Sequence, residues 1–114
     1  MDVRARTTSL LISPRKLRLV IDQVRGMGAK QAATVLEYMP KKGAKLVRKT
    51  LLSAMANAEA NHDLNPDDLY VKSITADEGP RLKRVKAGAR GRYKPRVRRM
   101  AHVTVVLAER EGAS

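Results

Sequence analysis

From Gly79 to Arg99 the chain carries no acidic residue, and Leu82, Val85 and Val97 are its only sizeable aliphatic side chains there. A segment of that composition cannot bury enough apolar surface to make a core. Whatever folds must therefore fold from the residues on either side. The segment itself has two readings. One is a basic loop without structure, since long loops in compact domains are commonly mobile. The other is a β-hairpin arm over residues 78–100 that protrudes from the body and takes its order from a partner. Gly88 and Gly91 sit near the middle, where a tight turn belongs, and they favour the arm. From Asp77 to a tip near Arg90, such an arm spans about 40 Å at about 3.3 Å per residue.

The flanks supply the core. Val3 to Ile12 reads as a strand, with Arg4 and Arg6 on the face opposite Val3 and Ala5. Ser13-Pro14 is a helix start, a serine cap followed by proline at the first helical position. Leu17, Val20, Ile21 and Val24 then recur at helical spacing, up to Gly26 and Gly28. A second helix is expected from about Ala29 to Met39, with Ala32, Val35, Leu36 and Met39 as its apolar stripe and Pro40 as its stop. A third runs from about Lys41 to Asn61 on Ala44, Val47, Leu51, Ala54, Met55 and Ala58. After the Asn65-Pro66-Asp67 turn, Leu69 to Ala76 and Ala101 to Leu107 read as strands. In the latter, Ala101, Val103, Val105 and Leu107 alternate with His102, Thr104 and Val106. The expected class is α+β in one domain over residues 1–114: three helices packed on a small antiparallel sheet.

The formal net charge of the 114 residues is +13 and the pI about 10.8. Self-repulsion of that size points to a polyanionic partner. Phe and Trp are absent, and the three tyrosines are Tyr38, Tyr70 and Tyr93. Stacking on aromatic platforms is thus a minor option, and an RNA partner would be held by phosphates, 2′-hydroxyls and shape. The chain contains no Cys, which excludes disulfides and thiolate metal sites. No apolar run is long enough to span a bilayer, and the N-terminus lacks the apolar core of a signal peptide. The reading is a soluble intracellular protein.

Cations also sit where isolated helices do not want them. A helix N-terminus favours Asp or Glu, and a misplaced cation there costs about 0.3–1 kcal/mol. The first helix nevertheless opens with Arg15, Lys16 and Arg18, and the third with Lys41, Lys42, Lys45, Arg48 and Lys49. A solvated face is the bland explanation. The better one is that each helix start meets a phosphate, where free N–H groups and cationic side chains share one anion.

Nothing supports catalysis. His62-Asp63 with Asp67 and Asp68 lacks a nucleophile, and adjacent residues seldom form an oriented base pair. His62 is read as ending the third helix, where a cation suits the dipole. Asp77-Glu78 is a poor metal site, His102 stands alone, and no phosphate-cradling glycine motif is present. The chain is read as no enzyme, with no cofactor and no metal.

Several collinear blocks resemble the bacterial large-ribosomal-subunit protein twenty-two family. They are Ile12-Ser13-Pro14-Arg15-Lys16-Leu17-Arg18-Leu19-Val20 with Val24-Arg25-Gly26, Ser53 to His62, Leu69-Tyr70-Val71-Lys72, Asp77 to Arg84, Ala89-Arg90-Gly91-Arg92 and His102 to Val106. The resemblance implies the same three-helix body and a hairpin arm, several domains of 23S-type large-subunit rRNA as partner, neighbouring large-subunit proteins, and an arm tip at the nascent-peptide exit tunnel. It implies a place in cytoplasmic ribosomes, or in those of an organelle, with no membrane partner and no homo-oligomer. The residues expected on rRNA are Arg4, Arg6, Arg15, Lys16, Arg18, Arg25, Lys41, Lys42, Lys45 and Lys49. In the arm they are Arg81, Lys83, Arg84, Lys86, Arg90, Arg92, Lys94, Arg96, Arg98 and Arg99. The expected tunnel tip is Lys86, Ala87, Gly88, Ala89, Arg90, Gly91 and Arg92. Ala87-Gly88 stands where the family usually has Pro-Arg, which removes one cation and one stiff residue, and Met100-Ala101 stands where it usually has Thr-Ser.

Two other functions share parts of this pattern. A DNA-architectural protein also joins a helical body to basic arms, but its arm tip needs an apolar wedge, and here the tip is Ala, Gly and Arg. A membrane-surface helix needs bulky apolar residues opposite its basic face, and the third helix offers mostly Ala.

Overall fold

The computed structural model describes residues 2–10, 12–79, 82–87, 93–98 and 100–109. Its elements are strand β1 (Asp2–Leu10), helices α1 (Pro14–Ile21), α2 (Ala29–Tyr38) and α3 (Lys42–His62), a 3₁₀ turn at Pro66–Asp68, and strands β2 (Leu69–Glu78), β3 (Leu82–Ala87), β4 (Tyr93–Arg98) and β5 (Ala101–Glu109). The expected α+β class is borne out.

β5 is the central strand of an antiparallel sheet ordered β1-β5-β2. Its alternation buries Ala101, Val103, Val105 and Leu107, as the sequence indicated. β2 alternates less simply. Leu69 and Val71 are buried, then Ile74 and Ala76, so the buried set changes phase between Val71 and Ile74. The register explains it: Val71 faces Leu107 and Ser73 faces Val106, which leaves one extra residue in β2. This bulge keeps the second half of the strand aimed at the core, where an unbroken pleat would have turned Ile74 outward.

The three helices cover the inner face of the sheet. Leu17, Val20 and Ile21 from α1, Val24 from the turn after it, Leu36 from α2, and Val47 and Leu51 from α3 join Val3, Val71, Ile74 and Leu107 in one buried cluster. Each such side chain contributes about 1.5–3 kcal/mol by burial. Ala44, Ala54 and Ala58 are also fully buried, so α3 meets the body through small residues. Gly43 continues that seam: a Cβ there would lie 3.3–3.4 Å from Leu17, Ile12 and Val20.

Helix starts follow their caps. The Ser13 hydroxyl accepts from the Lys16 amide, and Pro14 fills the first position. α1 ends at Ile21, earlier than its apolar spacing suggested, because the chain leaves the helix to pair with β2. The Gly26 amide donates to the Val71 carbonyl at 3.1 Å, and the Val71 amide donates to Met27 at 2.8 Å. Gly26 has φ +83°, a left-handed turn that suits glycine. Val24 stays fully buried from within that turn. At the far end of α3, Asp63 takes the left-handed cap position with φ 54°, a conformation Asp tolerates better than most residues.

β3 and β4 form a separate two-stranded antiparallel sheet, with Leu82 facing Arg98 and Ala87 facing Tyr93. Below it, Glu78 faces Ala101, and the Gly79 amide donates to the Met100 carbonyl at 2.8 Å. The molecule measures 70 × 26 × 17 Å with a radius of gyration of 17.3 Å. A compact chain of this length has a radius near 13 Å, so the elongation agrees with an arm. Residues 88–92, at the expected tip, lie outside the described residues.

Candidate nucleic-acid interface

One side of α1 and the first turn of α3, separate in sequence, meet in space. Lys16, Leu19 and Val20 of α1 and Lys41, Lys42 and Gly43 at the start of α3, with Ile12, line one groove of about 290 Å³. The close approach at Gly43 is what brings them together. Lys41 occupies the cap position of α3 and makes no side-chain capping bond, and neither helix has an acidic residue in its first turn. Amide donors and ammonium groups therefore share one region, the arrangement that suits an anion.

Arg15, Lys16, Lys41, Lys42, Lys45 and Lys49 are exposed. Among the described residues none of the six has a carboxylate partner. The ion pairs fall elsewhere, at Arg25–Asp22, Lys30–Asp67 and Lys72–Asp2. Arg48 is half-buried, and its Nε has no hydrogen-bond partner. Arg4 and Arg6 are exposed on β1, on the face opposite buried Val3.

Two expected RNA contacts have another job. α1 is short, so Arg18 falls in its last turn rather than its opening, where a cation suits the dipole. Its guanidinium donates to the Ala76 carbonyl at 3.0 Å. Arg25 pairs with Asp22 at 2.8 Å and donates to the Ile74 carbonyl at 3.1 Å. Both arginines thus cap carbonyls of the edge strand β2, which protects that edge from further pairing. Arg48 and Lys49, likewise read as opening α3, lie in its second turn, beyond the reach of the N-terminal dipole.

In the arm, Lys83, Arg84 and Lys86 lie on β3 and Lys94, Arg96 and Arg98 on β4. The register sets Arg84 opposite Arg96 and Lys86 opposite Lys94. Like charges in directly opposed positions destabilise a hairpin. The expected contacts Arg81, Arg90, Arg92 and Arg99, and tip residues Gly88, Ala89 and Gly91, lie outside the described residues; Lys86 and Ala87 end β3.

Leu19 and Gly43 were not anticipated as site residues. Leu19 is 56% exposed. Its signal was available, since it lies out of phase with the buried set Leu17, Val20, Ile21 and Val24. Gly43 gave no signal, because its role depends on which helix crosses it.

The residues weighed for catalysis do not assemble. His62 ends α3 and is exposed, Asp63 caps that helix, and Asp67 pairs with Lys30. Among the described residues no group of three His, Cys, Asp or Glu side chains could hold a metal ion, and no helix is long and apolar enough to cross a membrane.

Residues 5–108 match the family model described as ribosomal protein L22p/L17e. The chain is 50% identical over 109 residues to the large ribosomal subunit protein uL22 of Thermomicrobium roseum, covering 96% of this chain and 92% of that one. It is 48% identical over 112 residues to uL22 of Thermus thermophilus, covering 98% and 99%. The uL22 protein of Desulfotalea psychrophila is 50% identical over 109 residues, with 96% and 99% covered.

Proposed function

The chain belongs to the ribosomal protein L22p/L17e family, a family of structural proteins rather than enzymes, and on that premise we propose that it is a structural constituent of the cytoplasmic large ribosomal subunit, bound to 23S-type rRNA chiefly through phosphates. The observation that carries the RNA reading is the opposed cations of the arm, Arg84 with Arg96 and Lys86 with Lys94. Such a hairpin is poorly suited to stand alone and well suited to a polyanion along the face that these four positions share. The lysines at the helix starts, which among the described residues have no carboxylate partner, extend the same preference to the body. Arg4, Arg6, Arg15, Lys16, Lys41, Lys42, Lys45 and Lys49 supply the body's phosphate contacts, and residues 78–100 reach away from it. Arg18 and Arg25 keep a part in RNA binding through the N–H groups that β2 does not use.

The resemblance to the family supports placing the arm tip, Lys86 to Arg92, at the wall of the nascent-peptide exit tunnel, among several rRNA domains and beside neighbouring large-subunit proteins. The arm supports assembly by tying those domains together. The test is sedimentation of ribosomes from cells expressing the tagged chain. Tag in the large-subunit and whole-ribosome fractions, released by high salt, is the expected result. Tag confined to the soluble fraction or to the small subunit would overturn the assignment.

A further inference from the structure

The groove between α1 and α3 is more apolar than a phosphate site needs. Ile12, Val20 and Gly43 line it, and Leu19 stands 56% exposed beside them, while Lys16, Lys41 and Lys42 supply charge. Phosphate alone would be served by ammonium groups on a polar surface. Leu19 and Ile12 form one apolar patch there, and covering that patch stabilises a complex. The occupant must therefore join a weakly hydrated face to a negative charge only a few ångströms away.

We propose that this groove seats one unpaired nucleotide of the RNA, with its base against Leu19 and Ile12 and its phosphates on Lys16, Lys41 and Lys42. The inference rests on the RNA-binding reading and names a subsite within it. A nucleotide has the required pairing of chemistries, since its base presents a broad face and its phosphates flank it. The volume of about 290 Å³ lies at the small end of ligand pockets, enough for one base with its sugar. No aromatic side chain lines the groove, and its aliphatic floor holds the base by apolar contact instead. An acidic protein segment with one apolar anchor shares the charge match. The nucleotide is favoured because exposed cations continue past the groove at Lys45 and Lys49, one turn apart along α3. A phosphodiester backbone leaving the groove would have that path to follow.

The test is methyl-detected NMR of the full chain titrated with adenosine 5′-monophosphate, with ribose 5-phosphate and the peptide Glu-Leu-Glu as parallel arms. The expected result is saturable, upfield ring-current shifts of the Leu19 and Ile12 methyl groups with the nucleotide and none of that kind with the sugar phosphate. Lys41→Gln with Lys42→Gln should weaken nucleotide binding by about tenfold or more. Leu19→Ala, at an exposed position that leaves the fold intact, should remove the Ile12 shift. Equal shifts from the sugar phosphate, tighter binding of the peptide, or no methyl response to the nucleotide would each overturn the proposal. A large-subunit rRNA fragment titrated alongside separates the two readings. If it binds with steep salt dependence while the nucleotide leaves the methyls unmoved, only the groove assignment fails. If it does not bind, the RNA reading fails with it.

Discussion

The Arg18 guanidinium donates a 3.0 Å hydrogen bond to the carbonyl of Ala76, which ties the end of α1 to the outer edge of β2. The cations of α1 are thereby divided. Arg15 and Lys16 oppose the dipole at its start, whereas Arg18 complements it at the other end and satisfies a strand carbonyl. Arg15→Gln with Lys16→Gln should leave the free protein as stable or slightly more so, and weaken RNA binding. Arg18→Gln should cost about 1 kcal/mol of stability. Urea denaturation of the two variants checks both. Equal stability losses in both would show that the helix-start cations serve the fold.

Thr50 is the buried polar side chain of the described core, and its hydroxyl lies 2.7 Å from that of Thr7. Its own hydrogen is directed to the Leu46 carbonyl at 3.2 Å, so the Thr7 hydroxyl donates across the α3–β1 contact. Thr50→Val keeps the shape and removes the acceptor. The expected loss is about 1 kcal/mol, and Thr50→Ser should lose less than Val if the hydrogen bond rather than the methyl matters. Thermal unfolding of the two variants decides it, and a Val variant as stable as the parent would dismiss the link.

Much of this body is legible in the sequence because its elements follow local rules. Ser13-Pro14 starts α1, the spacing of Val47, Leu51, Ala54 and Ala58 sets the buried face of α3, and strict alternation marks β5. What escapes is what depends on a neighbour. α1 stops at Ile21 because Gly26 and Met27 pair with Val71, and nothing local to Asp22 announces that. The bulge between Val71 and Ser73 is set by β5, although the three-residue step from Val71 to Ile74 hints at it. The clustering of cations at helix starts is a sequence fact. Their convergence on one groove with Leu19 requires the crossing at Gly43.

The Asp2 carboxylate and the Lys72 ammonium pair at 2.9 Å between the two edge strands. A hydrogen bond from Lys72 holds the Asp2 carboxyl below the usual carboxylate range, and the same bond raises Lys72 above the usual ammonium value. For Asp2, lowered on folding, the associated stability is present above the ordinary carboxylate pKa and lost as pH falls through the lowered one. For Lys72, raised on folding, it is present below the ordinary ammonium pKa and lost as pH rises through the raised one. The pair is therefore intact across neutral pH. Both groups are exposed, so the effect on stability is small. An NMR titration should show the Asp2 midpoint rise when Lys72 is replaced by Met. An unchanged midpoint would show that the pair does not persist in solution.

The body's sheet closes below the arm, where Glu78 faces Ala101 and Gly79 bonds to Met100. Excising Lys86 to Arg92 and joining the strands by a short turn should thus leave the body folded, because shortening such a loop costs little. The shortened chain should still enter the large subunit, and chemical probing of tunnel-lining rRNA should change. Unchanged reactivity with normal incorporation would refute the placement of the tip, and an unfolded body would refute the division into body and arm.

The proposed hold of this protein on RNA is through phosphate contacts by cations that, among the described residues, lack a carboxylate partner. It is tested most directly by the affinity of the full chain for a large-subunit rRNA fragment, measured across a salt series. With a net charge of +13 and few aromatic residues, binding should fall by about 10³-fold or more between low and physiological salt, linearly in log affinity against log salt. A nearly flat plot would contradict the account.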